Sequence, residues 1–277
     1  IAMFKNTSQS KAEGLDVPEV IANNALVTYL PKRKVLKTES KTESMYLYNK
    51  EVVMAGRTIL TPQGMTGLGS TYFGKAEFKS KLFKFNQTEI NADTADFNLA
   101  DIDTILNKEI VSFETINVKG HVDFNARKGR FESNDGSSIV DFPENQYICY
   151  MDVFNWLMDD DELNMEKKDV SIESDLDIAE SNFYSVHPKQ DSLNFRSPKA
   201  NFDLKSKILT CDKVDYIDVA DARITPNNNQ IIVYKKAVSD PMENAVIVAN
   251  FITKYHSIIN AHVEIKARRK YNARGDY

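Results

Sequence analysis

The chain has 277 residues, of which 42% are hydrophobic and 27% are charged, a composition typical of globular proteins and unlike that of disordered or fibrous ones. Forty acidic and 35 basic residues leave a net charge of -5, so charge alone does not indicate a polyanionic partner. No stretch approaches the roughly 20 apolar residues that cross a bilayer, and the first residues lack the regions of a signal peptide. We therefore expect no nucleic-acid partner and no transmembrane segment in this chain.

Two segments alternate between apolar and polar residues over their whole length, residues 116–127 and 259–268. The apolar positions are Ile116, Val118, Gly120, Val122, Phe124 and Ala126 in the first segment and Ile259, Ala261, Val263, Ile265 and Ala267 in the second. Successive side chains of a strand point to opposite faces of a sheet. Both segments are therefore predicted to be strands with one apolar and one polar face.

Shorter alternating runs are separated by turn sequences such as NDG at 134–136 and PNNN at 226–229. This pattern predicts an all-β fold of stacked short antiparallel strands, a β-jellyroll or β-solenoid-like arrangement with few or no helices. We place a first β lobe at residues 15–165 and a second at 175–277, continuous with the first in one stack. A helix is the alternative at 241–252, where apolar residues also have helical spacing, although Val246, Ile247 and Val248 favour a strand.

The two long alternating segments also resemble each other. Residues 120–128 align with residues 261–269, with identities at His, Val, Ala and Arg. A strand of a repeated sheet recurs naturally, whereas an active site is seldom present twice, so we interpret this as an internal repeat with solvated polar faces. The alternative is a His-x-acid pair, His121 with Asp123 or His262 with Glu264, acting as general acid and base or as metal ligands.

Other motifs favour structural interpretations. Residues 69–76 resemble a phosphate-binding loop, but Ala76 replaces its hydroxyl residue and a strand-like pattern follows, which indicates a glycine-rich turn. The acidic run 159–162 lacks the spacing of a calcium loop, and the basic stretch 266–274 fits the polar face of a strand. Cys149 and Cys211 are expected to be free thiols, with pairing left open. We predict no catalytic residue, cofactor or metal.

Three segments carry a resemblance to a known group of proteins: SPKANFDLKSKILTCDKVDYIDVADARITP at 197–226, ADTADFNL at 92–99 and AHVEIKARRKYNARGDY at 261–277. They are similar to segments of large envelope proteins of Gram-negative bacteria. The rhythm of apolar strand, polar turn and apolar strand over most of residues 45 to 277 also resembles the organic-solvent-tolerance or lipopolysaccharide-transport periplasmic family. The resemblance implies a β-jellyroll whose apolar interior carries acyl chains, located in the cell envelope, periplasmic or surface-exposed.

The ends of the sequence suggest a part of a longer protein, because residue 1 is Ile rather than Met and the last seven residues are mostly polar. A stack of strands exposes edges that can pair with further strands. We therefore expect strand-edge pairing with the rest of a longer chain or with other envelope proteins.

We expect a non-enzymatic envelope protein that acts as a scaffold or as a bridge binding lipid or glycolipid. Its expected apolar groove consists of Val118, Val122, Phe124, Ile259, Val263 and Ile265, which become core if the sheet faces close. A surface adhesin or glycan-binding module is one alternative, with aromatic candidates Tyr72, Phe73, Tyr147, Tyr150 and Trp156. A polysaccharide hydrolase is the other and needs two carboxylates about 5 to 10 Å apart, with Asp123 and Glu264 as first candidates.

Overall fold

The computed structural model describes residues 2–6, 16–103, 108–136, 138–168, 181–250, 252–254 and 256–277. Its contacts divide the chain into two compact units, Ile1–Asp135 with Leu157–Asp159 and Gly136–Trp156 with Asp160–Tyr277. The two predicted lobes and their continuity in one stack stay predictions, and their bounds at residues 15 and 175 lie outside the described residues.

The first unit is built from antiparallel strands. Those in its described part are β1 (Ala2–Asn6), β2 (Val20–Leu30), β3 (Val35–Ser40), β4 (Met45–Leu47), β5 (Val52–Thr61), β6 (Gly64–Phe73), β7 (Ala76–Phe85), β8 (Glu89–Asp103), β9 (Lys108–Asp123) and β10 (Lys128–Ser133). From β5 to β10, each strand pairs with the next one along the chain. This meander carries the candidate site.

The second unit contains shorter strands. In the described residues they are β11 (Ser138–Phe142), β12 (Tyr147–Met151), β13 (Val153–Leu157), β14 (Glu162–Glu166), β15 (Phe183–Ser185), β16 (Asn194–Phe195), β17 (Lys199–Asp203), β18 (Ile208–Asp212), β19 (Ile217–Val219), β20 (Ala222–Thr225), β21 (Gln230–Val233), β22 (Met242–Ala249), β23 (His256–Ala267) and β24 (Lys270–Asp276). β19, β20, β22, β23 and β24 form one five-stranded sheet in which β24 is an edge.

These strands confirm the predicted all-β fold of stacked antiparallel strands. Helical structure in the described residues is limited to two short 3-10 turns, Pro31–Arg33 and Lys235–Ala237. The alternative helix at 241–252 is wrong over its described residues, because Met242–Ala249 is a strand paired with β20 and β23. Nowhere in the described chain is a helix both long and apolar enough to span a membrane.

Aromatic side chains fill the core of the meander. Phe78 packs edge-on against Phe83, Phe97 and Phe131, and the rings of Phe97 and Phe131 stack with centroids 3.9 Å apart. All four rings are at most 1% exposed. Gly120 lies opposite Phe131 on the neighbouring strand, and a Cβ at Gly120 would approach the Phe78 ring to 2.4 Å. The glycine therefore leaves the space that the Phe78 ring occupies.

The alternation predicted for the two long segments is interrupted in both. Asn117 and Asn260 have positive φ angles of 56° and 49°, and the strand pairing shifts register beside each of them. A bulge turns the preceding side chain to the other face. Ile116 and Ile259 are therefore 55% and 50% exposed, whereas the sequence placed them on the apolar face.

The first of these strands is also shorter than predicted. β9 ends at Asp123, and residues 124–127 form the turn that leads into β10. Ala126, predicted to lie on the apolar face, is an exposed turn residue. Phe124 is buried even though it belongs to the turn.

Candidate ligand-binding groove

An open apolar groove of about 810 Å³ runs across the outward face of the meander in the first unit. Its apolar wall comes from Leu68 on β6, Leu82 on β7 and Ile116 on β9, which are 42%, 53% and 55% exposed. The other lining residues are Gly69, Lys79, Ser80, Lys81, Asp93, Thr94, Ala95, Asp96 and Asn117. Exposed aliphatic side chains gathered on neighbouring strands are a common mark of a ligand or partner site.

The groove follows a line along which the alternation of buried and exposed residues is interrupted in three consecutive strands. We call this line the sheet bend. Two successive residues are not buried at 81–82 in β7, at 93–94 in β8 and at 116–117 in β9. Beyond each pair, the buried side chains occupy odd positions if they were even before it, and even positions if they were odd. The pairing of β6 with β7 also shifts register between Gly67 and Gly69. Leu82 and Ile116 point outward because they lie at these interruptions.

Side chains replace the strand hydrogen bonds that the sheet bend removes. The Ser80 hydroxyl donates to the carbonyl of Thr94 at 2.7 Å and accepts the N–H of Leu82 at 3.0 Å. The Asn134 amide donates to the carbonyl of Asp93 at 3.0 Å. Since an unpaired backbone group is costly when removed from water, these bonds hold the bend and fix the outward direction of Leu82.

A second support lies beside the groove, where β5 and β6 approach closely. Gly56 lies opposite Gly69, with φ angles of 152° and 132°. A Cβ on either glycine would come within 2.1 Å of a carbonyl oxygen on the facing strand. The Ser40 hydroxyl donates to the Gly56 carbonyl and accepts its N–H. Only glycine fits this approach without strain.

The groove carries two lysines that form no salt bridge in the described residues, although the charge of Lys79 helps to lower the pKa of Glu77, and two carboxylates that have hydrogen-bond or ion-pair partners. Asp93 pairs with Lys84 at 3.0 Å, which lowers the pKa of Asp93, and Asp96 accepts the backbone N–H of Asn117. Lys79 and Lys81 make no ion pair within the described residues. Their ammonium groups are thus available to an anionic group of a ligand, while their methylene stems extend the apolar wall.

The residues predicted for the apolar groove lie elsewhere. Val118 and Val122 have no accessible surface and Phe124 is 7% exposed in the first unit. In the second unit, Val263 and Ile265 are 0% and 8% exposed, whereas Ile259 is exposed. In this structure the five buried side chains are core residues, and the open groove of the first unit uses the opposite face of β9.

The members of both His-x-acid pairs have local partners, and in the second pair His262 Nε2 also lies 3.9 Å from Glu264 Oε1. In the first unit, His121 Nδ1 lies 2.7 Å from Asn91 Oδ1, and Asp123 accepts two backbone N–H groups in the turn after β9.

In the second unit, His262 Nδ1 lies 2.6 Å from Glu243 Oε1. Glu264 pairs with Lys266 at 2.7 Å, and this contact lowers the pKa of Glu264. Within the described residues, no three His, Cys, Asp or Glu side chains are placed to hold a metal ion.

The aromatic candidates divide into core and surface residues. Phe73, Tyr147 and Trp156 are at most 4% exposed, and burial raises the pKa of the Tyr147 hydroxyl. Tyr72 is 42% exposed at the end of β6. Tyr150 is half-buried on the outward face of β12.

The remaining motifs are structural. The stretch resembling a phosphate-binding loop comprises the end of β6, the two-residue Gly74–Lys75 turn and the first residue of β7. The acidic run at 159–162 includes the turn between β13 and β14, where Asp159 accepts a hydrogen bond from Arg127 at 3.0 Å. The basic stretch 266–274 spans the end of β23 and most of β24. Cys149 and Cys211 are buried and free, as expected of thiols that act as small apolar residues.

No family model, no curated protein and no solved structure matches the chain.

Proposed function

We propose that this chain is a non-enzymatic, β-rich protein that holds the acyl chain of an anionic lipid or glycolipid in the groove along the sheet bend. The observation that carries the proposal is the outward clustering of Leu68, Leu82 and Ile116 on a bend fixed by hydrogen bonds. Its volume of about 810 Å³ is typical of small-molecule sites. Lys79 and Lys81 supply positive charge for the anionic headgroup.

The free energies of acyl-chain burial and of association predict weak binding. Each methylene transferred from water contributes about 0.8 kcal/mol, so a ten-carbon chain contributes about 8 kcal/mol when fully covered. Association costs at least about 4 kcal/mol, and an open groove covers only part of the chain. The acyl chain therefore supplies at most about 4 kcal/mol of net binding free energy, which corresponds to a dissociation constant of about 1 mM, and such weak binding suits a bridge that passes its ligand on.

The envelope location and the non-enzymatic role are part of the same proposal. The proposed location depends on the resemblance that the sequence of residues 197–226 suggests to segments of Gram-negative envelope proteins. The non-enzymatic role is supported by the first carboxylate candidates, because Asp123 is engaged in a turn and Glu264 in an ion pair.

A fluorescent fatty acid such as dansyl-undecanoic acid tests the proposal by titration. Leu82→Asp places a charge in the apolar wall and is expected to weaken binding about tenfold or more. Leu26→Asp is the matched control, because Leu26 is 50% exposed on β2 of the same unit and does not line the groove. Equal binding by both variants, with both shown to be folded by thermal unfolding, would refute the proposal, as would the absence of wild-type binding.

A further inference from the structure

A second cavity lies on the outward face of the second unit, with a volume of about 540 Å³. We call it the Tyr150 pocket. Its aromatic walls are Tyr150 on β12 and Tyr184 on β15. The centroids of the two rings are 5.9 Å apart, and the ring planes meet at 86°. The other lining residues are Ile148, Lys167, Ser181, Asn182, Ser185, Val186 and Ser192.

The outward direction of the two tyrosines follows from strand alternation. Cys149 on β12 lies opposite Phe183 on β15, and both are fully buried. Their neighbours Tyr150 and Tyr184 therefore point to the other face. Because the buried residues fix the two strands, the rings form a wall that exists before any ligand binds.

A buried asparagine holds the floor of the Tyr150 pocket. The Asn182 amide donates to the Ser197 carbonyl and accepts the Ser197 N–H, both at 2.8 Å. Its backbone carbonyl accepts the N–H of Tyr150 at 2.9 Å. With 6% exposure and these partners, Asn182 serves as a fixed support for Tyr150.

Hydroxyl groups surround the rings. Tyr184 donates to the Ser181 carbonyl at 2.7 Å, and the Ser181 hydroxyl donates to Asn194 at 2.8 Å. The hydroxyls of Tyr150 and Ser192 make no hydrogen bond within the part of the chain that the structure describes. Both can donate to and accept from a ligand.

The charge of the pocket is compensated. Among the described residues that line the pocket, Lys167 is the charged one. Its ammonium group lies 3.1 Å from Asp152 and donates to the Gly136 carbonyl at 3.0 Å. Asp152 is buried and also accepts the N–H of Lys168 at 2.7 Å. An anionic ligand would have to compete with the Asp152 carboxylate for the Lys167 ammonium group, so the pocket complements an uncharged ligand.

The geometry points to a binding site for neutral carbohydrate. A sugar ring presents C–H groups that pack on an aromatic ring and hydroxyls that exchange hydrogen bonds at its edge. Tyr150 and Tyr184 supply the aromatic faces, and the hydroxyls of Tyr150 and Ser192 supply the edge. An acyl chain offers these hydroxyls no hydrogen-bond partner, which separates this site from the groove of the first unit. The inference does not rest on the function proposed for that groove.

Isothermal titration with neutral hexasaccharides of glucose, mannose and N-acetylglucosamine tests the assignment, with hexagalacturonate as the anionic comparison. We expect the wild type to bind at least one neutral hexasaccharide more tightly than hexagalacturonate. Tyr150→Ala should weaken that binding about tenfold, because it removes both the ring and the hydroxyl. Tyr150→Phe should weaken it less, because it keeps the ring.

Tyr29→Ala is the matched control, because Tyr29 is a 60% exposed tyrosine on β2 that lies outside the Tyr150 pocket. Unchanged binding by Tyr29→Ala and weakened binding by both Tyr150 variants would support the carbohydrate site. The assignment is wrong if no neutral hexasaccharide binds the folded wild type, if hexagalacturonate binds more tightly, or if folded Tyr150→Ala binds as well as the wild type.

Discussion

Asp123 and Asp203 occupy equivalent positions in two hairpin turns. Asp123 Oδ1 accepts the N–H groups of the second and third residues after it at 2.8 and 3.0 Å. Asp203 Oδ1 does the same at 2.7 and 3.0 Å. Each turn ends at a basic residue with positive φ, Arg127 at 55° and Lys207 at 60°. The same Asp-turn therefore connects β9 to β10 and β17 to β18.

We predict that Asp203→Ala lowers the free energy of unfolding by about 1 kcal/mol, because two backbone N–H groups lose a charged acceptor. Asp203→Asn keeps an acceptor oxygen and should cost less. Urea denaturation of the three proteins at neutral pH measures both effects. Equal stability of Asp203→Ala and the wild type would show that the turn does not need this carboxylate.

The Asp-turn also predicts an acid response with a defined sign. The hydrogen bond from the Ser206 backbone is the main cause that lowers the pKa of Asp203. The stability that the ionised Asp203 contributes is therefore present above the pKa of Asp in the unfolded chain, about 3.9. It is lost as the pH falls through the lower pKa of Asp203 in the folded protein. Between pH 6 and 3, the wild type should lose more stability than Asp203→Ala, and parallel pH curves would contradict the assignment.

The close approach of β5 and β6 predicts unequal effects of alanine at two glycines with the same φ. Gly69 and Gly64 both have φ of 132°, but a Cβ meets the Ala55 carbonyl at 2.1 Å only at Gly69. Gly64→Ala should cost about 1 kcal/mol from backbone strain, and Gly69→Ala should cost at least about 2 kcal/mol more. Thermal and urea unfolding compare the two variants, and similar losses would argue against the close approach.

Gly120 and Phe78 should be energetically coupled. Gly120→Ala is expected to destabilise the protein by about 1 to 3 kcal/mol, since its Cβ would press on a ring packed by Phe97 and Phe131. In a Phe78→Leu background the same change should cost less, with a coupling of about 0.5 kcal/mol or more. A double-mutant cycle by urea denaturation measures the coupling, and additive effects would exclude the contact.

The buried thiols predict a loss of stability at alkaline pH. Burial raises the pKa of Cys149 and Cys211 above the ordinary value. The contribution of the protonated thiols to the free energy of unfolding is therefore complete below the pKa of Cys in the unfolded chain, about 8.5. It decreases as the pH rises toward the pKa in the folded protein, by about 1.4 kcal/mol per pH unit for each thiol. Urea denaturation from pH 8 to 9.5 should give a shallower decline for Cys211→Ala than for the wild type. Identical slopes would count against a buried, protonated thiol.

Period-two alternation predicted the fold class because it reflects the two faces of a strand. It identified the buried positions Val118, Val122, Val263 and Ile265. It failed at Ile116 and Ile259 because a bulge depends on a single residue at positive φ, and Asn adopts that conformation without a distinctive sequence signal.

The candidate groove depends on those same interruptions and was therefore missed. Leu82 is the one local signal, since it follows Lys81 and precedes Phe83 and so breaks the alternation of β7. That signal does not show that Leu68 and Ile116 come together with Leu82, because their proximity requires the strand pairing of the folded sheet. The recurring Asp-turn was also missed, although Asp and a basic residue four positions later occur at both sites.

Native mass spectrometry after incubation with a Gram-negative envelope lipid extract tests whether the sheet bend carries a lipid site. We expect an adduct of lipid mass on the wild type and on Leu26→Asp, and its loss on folded Leu82→Asp. The absence of any lipid adduct on the wild type, or an adduct that persists undiminished on Leu82→Asp, would contradict the proposal.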